Sequence, residues 1–394
     1  MQALRRRLVS IANGALLGLL LAACAGKPPA MATADAAPAA ALPAPTTAHV
    51  GHVFLLVLEN EDYDNSFGAE SPAYLAKTLP AQGALLPNYY GTAHNSLGNY
   101  IALISGQAPT GNMQMDCHDF VEFKATGNLD ADGQLPGQGC VYPVEVRSLP
   151  EQLEQAGLSW RGYMEDMGND PRREAATCGH PPLGATDPAR KAQVGDQYAT
   201  KHNPFVYFHR VIDDSARCDQ NVVNLKQLSA DLASADSTPN FVFITPNLCH
   251  DGHDSPCVDG QPGGLVSANA FLQQWVPLIL DSPAFRQDGV LIVTFDESNG
   301  PQSDSSSCCG EVAGPNARHP GITGPGGGRV GAVLLSPFIK PGTVSSVAYN
   351  HYSLLRSVED LFGLPYLGYA AANAQTAFGG DVFTQRMPEF PAKR

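Results

Sequence analysis

The chain has 394 residues, 43% of them hydrophobic and 16% charged, so a sizeable core forms and wholesale disorder is excluded. A net charge of -14 excludes nucleic-acid binding through phosphate neutralisation. An anionic substrate would need a metal ion or local cations against that field.

Arg5, Arg6 and Arg7 precede a short apolar run at 11–21 that ends in Leu21-Ala22-Ala23-Cys24. A charged start, a short apolar stretch and small residues at the cut site are the layout of a processed export leader. Residues 1–23 therefore read as a lipoprotein signal peptide, with Cys24 lipidated and anchoring the protein to a membrane. Gly26, in place of the Asp that retains such lipoproteins in the inner membrane, points to the outer membrane. Residues 24–48 are rich in Ala, Pro and Thr and read as an extended tether. Export implies an oxidising compartment, and setting Cys24 aside leaves eight of nine cysteines, an even number suited to disulfides.

From His52 the pattern changes. "HVFLLVLEN" is a continuous apolar run closed by polar residues, as in a strand buried on both faces. The same form recurs at 240–247, 289–298 and 331–338. Helical patterns lie between them at 71–79, 97–104, 149–156, 225–233, 268–280 and 351–362. Strands alternating with helices predict an α/β fold with a mainly parallel sheet sandwiched by helices. One catalytic domain is expected over 49–394, with long surface loops at 125–140 and 298–328.

In such sheets ligands sit beyond the carboxyl ends of the strands. Glu59 and Asn60 follow the first run. Asn247, His250, Asp251, His253 and Asp254 follow the second, and Asp296 and Glu297 the third. Any one of these alone reads most simply as a solvated loop residue. Three strand ends that all deliver carboxylate, amide or imidazole groups predict a site for one divalent cation, of unspecified identity. Ser96 opens the helical stretch "SLGNYIALISG", where free backbone N–H groups favour a negatively charged oxygen. It reads either as an N-cap or as a nucleophile activated by the metal. Asn99 would then donate to a phosphate oxygen, and Gly98 would let a bulky anion approach the backbone.

The stretches "LENEDYDNSFG", "SLGNYIALISG", "KHNPFVYF", "TPNLCHDGHD", "VTFDES" and "NHYSLLRSVEDLFGLP" together resemble the bacterial and fungal phosphoesterase family. That family holds acid phosphatases and phospholipases C and belongs to the alkaline-phosphatase superfamily. The likeness runs from about residue 52 to 365 with its motifs in family order. It implies an alkaline-phosphatase-like core, with Glu59, Asn60, Ser96, Asp296 and Glu297 as metal ligands. It implies Ser96 as nucleophile, and His202 and His253 as groups that bind phosphate or protonate the leaving alcohol. His351 reads equally as a histidine supporting the site or as a surface helix cap. Lys201 reads more simply as a solvated lysine beside its motif. The acidic pair here is Asp-Glu rather than the Asp-Asp of some relatives.

Cys249 and Cys257 bracket the His253 loop and are expected to form a disulfide that braces it; export and spacing disfavour a zinc site there. Cys117 with Cys140 and Cys178 with Cys218 are the nearest pairings in sequence, and the partners of Cys308 and Cys309 are not readable. The expected activity is a metal-dependent acid phosphatase working through a phosphoserine. Its substrates would be phosphoinositides, other lipid headgroups or small phosphomonoesters. A phosphodiesterase or phospholipase C on the same core, and a non-catalytic surface-binding lipoprotein, remain the alternatives. The lipobox reading has a direct test: labelled fatty acid should enter the wild-type protein and not Cys24→Ala, and equal labelling of both would end it.

Overall fold

The computed structural model describes residues 42–393; the leader and Cys24 lie outside the described residues. The expected tether ends differently from its reading. Leu42 packs against the core, and the Thr46 backbone N–H donates to Gln287 O at 3.0 Å. The last tether residues are therefore laid onto the folded body.

Eight strands form one sheet: β1 (His52–Leu58), β2 (Ala84–Leu86), β3 (Trp160–Met164), β4 (Val222–Asn224), β5 (Phe241–Thr245), β6 (Gly289–Phe295), β7 (Ala332–Leu335) and β8 (Thr343–Val344). Their spatial order is β8-β2-β7-β6-β1-β5-β3-β4. Every pairing is parallel except the two made by β7, which runs antiparallel to β2 and β6. The fold is thus α/β with a mainly parallel sheet, as the alternation of runs predicts. The fourth apolar run is its reversed strand. All residues of β1, β5 and β6 are buried, which is why these strands read as unbroken apolar runs rather than alternating ones.

Four helices matter for the site: α1 (Ser96–Ser105), α2 (Leu149–Gln155), α3 (Gly264–Asp281) and α4 (His351–Phe362). α1 and α4 pack on each other, and every residue of α1 is buried. The helical pattern at 225–233 resolves into a 3₁₀ turn at Leu225–Gln227 and one α turn at Leu228–Asp231. The pattern at 71–79 gives a π turn at Tyr74–Thr78 that runs into a short α turn.

α1 ends at Gly106, whose φ of 67° is left-handed, the conformation that glycine adopts at least cost. A Cβ there would also stand 2.4 Å from Leu367 O. Gly106→Ala combines a left-handed penalty of roughly 1–2 kcal/mol with that clash, so it should lower stability by about 2 kcal/mol or more. A denaturation midpoint unchanged from wild type would show that the helix end is not so constrained.

Candidate active site

The carboxyl ends of β6, β1 and β5 are neighbours in the sheet, and they place their acids side by side. The Asp296 N–H donates to Leu58 O at 2.9 Å, and the Glu59 N–H to Asp251 O at 2.8 Å. Asn60, at a φ of 43°, turns its own N–H onto Asp296 Oδ1 at 3.1 Å. Asn tolerates that left-handed backbone better than most residues. The result is a cluster of four buried carboxylates: Glu59, Asp251, Asp296 and Glu297.

Ser96 faces this cluster. It is the first helical residue of α1 rather than its cap, since Asn95 occupies the cap position without a side-chain cap bond. Its hydroxyl donates to Glu59 Oε2 at 2.7 Å, and the helix's next N–H, on Leu97, is taken by Asp116 Oδ1 at 3.1 Å. The N-cap reading of Ser96 is therefore replaced: its side chain serves the acid cluster. Tyr100, one turn on, donates to Glu59 Oε1 at 2.7 Å and stacks on His202 with ring centroids 5.2 Å apart. His202 Nε2 lies 3.1 Å from Glu59 Oε2, and its Nδ1 lies 3.8 Å from Asp251 Oδ2.

Electrostatics divides the acids. Burial pushes Glu59 upward, but His202, Lys201 and the Tyr100 hydroxyl override it and hold its carboxyl at about 2. Burial and the neighbouring Glu59 charge push Asp251 and Asp296 well above the usual carboxylate range. Burial raises Glu297 to about 7 against the pull of His94. Like charges this close cannot all ionise without a compensating cation.

The donor set fits such a cation. Asn60 Oδ1, Asp296 Oδ2 and Asp251 Oδ2 are buried and have no hydrogen-bond partner. Glu59, His202 and Asp251 offer ligand atoms that all lie within 4.8 Å of one another. Buried oxygens without partners are costly unless something binds them. Carboxylate, amide and imidazole donors together suit a divalent ion.

Several expected roles are redistributed. Glu297 spends both oxygens on protein donors: Oε1 accepts from Asn60 Nδ2 at 2.7 Å, and Oε2 accepts from Asn99 Nδ2 at 3.3 Å. His94 Nδ1 stands 2.9 Å from the same Oε2. Glu297 thus orients Asn60, leaving Asn60 Oδ1 without a protein partner, and the longer side chain of Glu explains how it reaches. Asn99 does not point at a substrate. Its Oδ1 accepts from the N–H groups of Thr92 and Ala93, both at 2.9 Å, so it ties the loop before α1 to the helix. Gly98 serves packing rather than anion approach, since a Cβ there would meet Ala93 Cβ and Pro109 Cβ at 3.0 Å.

His351 is buried. Its ring lies 2.6 Å from Asp296 O and 3.0 Å from Tyr89 Oη, and burial holds its pKa down at about 4. It is a neutral prop for the Asp296 backbone, and Asn350 caps α4 instead. His253 lies at the rim, with its side chain 46% exposed and its backbone N–H on Asp251 Oδ1 at 3.0 Å. Lys201 is not solvated. Its ammonium donates to Asp116 Oδ2 at 3.1 Å and to Ser96 Oγ at 3.4 Å. Burial works against its charge, but Asp116 and Glu59 hold its pKa above the ordinary lysine value.

All four possible disulfides form: Cys117–Cys140, Cys178–Cys218, Cys249–Cys257 and the adjacent Cys308–Cys309. The expected brace of the His253 loop is thus present, and its sulfurs are not free to bind zinc.

Residues 69–365 match the model of the Phosphoesterase family, three quarters of the chain. The protein belongs to the phosphoesterase family. It is similar to a probable acid phosphatase of Kluyveromyces lactis, 26% identical over 80% of this chain and 59% of that protein. A phosphate-repressible acid phosphatase of Penicillium chrysogenum is 28% identical over 86% of this chain and 67% of its own. A phosphatidylinositol-3-phosphatase of Mycobacterium tuberculosis is 25% identical over 91% of this chain and 89% of its own. The chain thus spans about three fifths to two thirds of the two fungal relatives and nearly all of the mycobacterial one.

The orphaned atoms make the cation site testable without any assay of turnover. Asp296→Asn keeps the shape of the site and removes a charge. It should lower bound divalent metal, measured by elemental analysis, and reduce the rise in melting temperature on adding manganese. Full metal content in that variant would place the cation elsewhere.

Proposed function

We propose that the protein is a metal-dependent phosphomonoesterase of acid-phosphatase type that works through a phosphoserine at Ser96. The observation that carries this reading is the Ser96 hydroxyl. It is held on Glu59 at the N-terminal end of a buried helix, facing a carboxylate cluster with orphaned oxygens. A serine kept for capping would bond its own helix; this one does not.

In this reading Ser96 gives up its hydroxyl proton along its hydrogen bond to Glu59 Oε2, and Oγ attacks phosphorus in line, its bond to phosphorus forming as the ester oxygen departs. A bound divalent cation supplies charge stabilisation for the phosphoryl oxygens when present. Glu59 orients the serine, and the positive end of the α1 dipole faces the charge that develops. His253, at the solvent side, is the candidate to protonate the leaving alcohol. His202, stacked on Tyr100, holds Glu59 in place. Water then hydrolyses the phosphoserine.

Phosphorylated small molecules or lipid headgroups are the proposed substrates. The full-length likeness to a phosphatidylinositol-3-phosphatase favours phosphoinositides among them. A lipid anchor at Cys24 would hold the site at a membrane surface in the cell envelope, where such headgroups are presented.

Ser96→Asn and Ser96→Ala should both fold and bind metal, yet lose turnover of p-nitrophenyl phosphate by several orders of magnitude, because neither can form the phosphoenzyme. Brief mixing of wild type with radiolabelled substrate and an acid quench should trap phosphate on the peptide holding Ser96. A fully active Ser96→Asn enzyme would sink the nucleophile.

A further inference from the structure

Lys201 lies in the 3₁₀ turn Thr200–His202, immediately before the histidine that faces Glu59. Its side chain is only 14% exposed. Among the described residues it is the one Lys or Arg with a hydrogen bond or ion pair to any of Ser96, Glu59, Asp251, Asp296 and Glu297. An ammonium carries three N–H donors. Two have partners here, Asp116 Oδ2 at 3.1 Å and Ser96 Oγ at 3.4 Å.

Asp116 fixes this geometry. One carboxylate oxygen holds the ammonium and the other holds the Leu97 N–H of α1. The lysine and the serine are therefore tied to a single anchor. Asp116 itself sits in a left-handed backbone turn, next to Cys117, which is bonded to Cys140. The third N–H of Lys201 is used by neither of these two bonds.

From this geometry we propose that Lys201 is a catalytic residue whose third N–H binds a non-bridging phosphoryl oxygen, making the site selective for dianionic monoesters over monoanionic diesters. The inference rests on the phosphoesterase reading above. A phosphomonoester brings a second negative charge that a diester lacks, and a fixed ammonium beside the nucleophile acts on that difference. Asp116 is a positioning residue in this scheme.

The test compares p-nitrophenyl phosphate with bis-p-nitrophenyl phosphate in the metal-loaded full chain. Lys201→Gln should lower kcat/KM for the monoester by about 10²–10³-fold, the range for losing one transition-state donor, and for the diester by no more than about tenfold. Lys201→Arg keeps the charge and should retain the monoester preference, with metal content unchanged in both. A wild type that turns over neither ester overturns the phosphoesterase reading and this inference with it. A wild type faster on the diester, or a Lys201→Gln variant whose two rates fall equally or not at all, overturns the Lys201 assignment alone. Should Lys201→Gln fail to fold, Asp116→Asn decides. It removes the carboxylate charge that fixes the ammonium beside Ser96, so the monoester-to-diester ratio should fall. An unchanged or higher ratio overturns the proposal.

Discussion

Four carboxylates buried side by side at the ends of three adjacent strands are the constraint on which the rest of this structure turns. Glu59, Asp251, Asp296 and Glu297 would repel one another out of a folded core unless each were held and their charge answered. The protein answers part of it locally. Tyr100 and Ser96 donate to Glu59, His202 stands against it, and Lys201 lies nearby. Glu297 is met by Asn60, Asn99 and His94. What stays unanswered is a small set of atoms, Asn60 Oδ1, Asp296 Oδ2 and Asp251 Oδ2. That remainder has the composition of a cation's ligand set, and the Ser96 hydroxyl lies on its edge.

The order of strands explains why residues from distant parts of the chain supply this cluster. β1 lies between β5 and β6 with parallel pairing on both sides. The ends of all three strands therefore open at the same edge, which is where a doubly covered parallel sheet collects its ligands. α1 then brings Ser96 to that edge, fastened at one end by Asp116 on Leu97 and at the other by the Gly106 turn against Leu367. The loop before it is closed by Asn99.

Much of this was legible in the residues. Unbroken apolar runs marked β1, β5, β6 and β7 because strands buried on both faces need no polar alternation. The acids at their ends followed from topology. Other parts left no such signal. β3 carries Arg161 and Gly162 inside five residues, so its run is broken, although Arg161 is answered by Asp231 at 2.6 Å. The reversal of β7 depends on which neighbour it meets, and hydrophobicity is blind to direction. Roles within the site were the least readable. Whether Glu297 binds a cation or an amide is decided by one methylene and the position of Asn60. Whether Lys201 is solvated or enclosed is decided by Asp116, 85 residues away in the chain. A lysine beside a histidine motif carries no mark of its burial.

The disulfides bear on the loops that carry these residues. Two of the loops that carry site residues have little regular structure of their own. Asp116 follows a single 3₁₀ turn, and Asp251 with His253 lies between β5 and α3. Each is closed by a bridge beside the functional residue, Cys117–Cys140 in the first case and Cys249–Cys257 in the second. A cross-link over so short a separation as 8 residues contributes less through the unfolded chain than a long one would, so its value here lies in holding the loop's shape. Holding Asp116 on both Lys201 and the Leu97 N–H asks for positional accuracy well under an ångström, which an unbraced surface loop does not supply. An exported chain can use sulfur for that purpose where a cytosolic one cannot. Fastening the loops in this way leaves the buried sheet to set the overall geometry and the bridges to fix the few loop residues around Ser96.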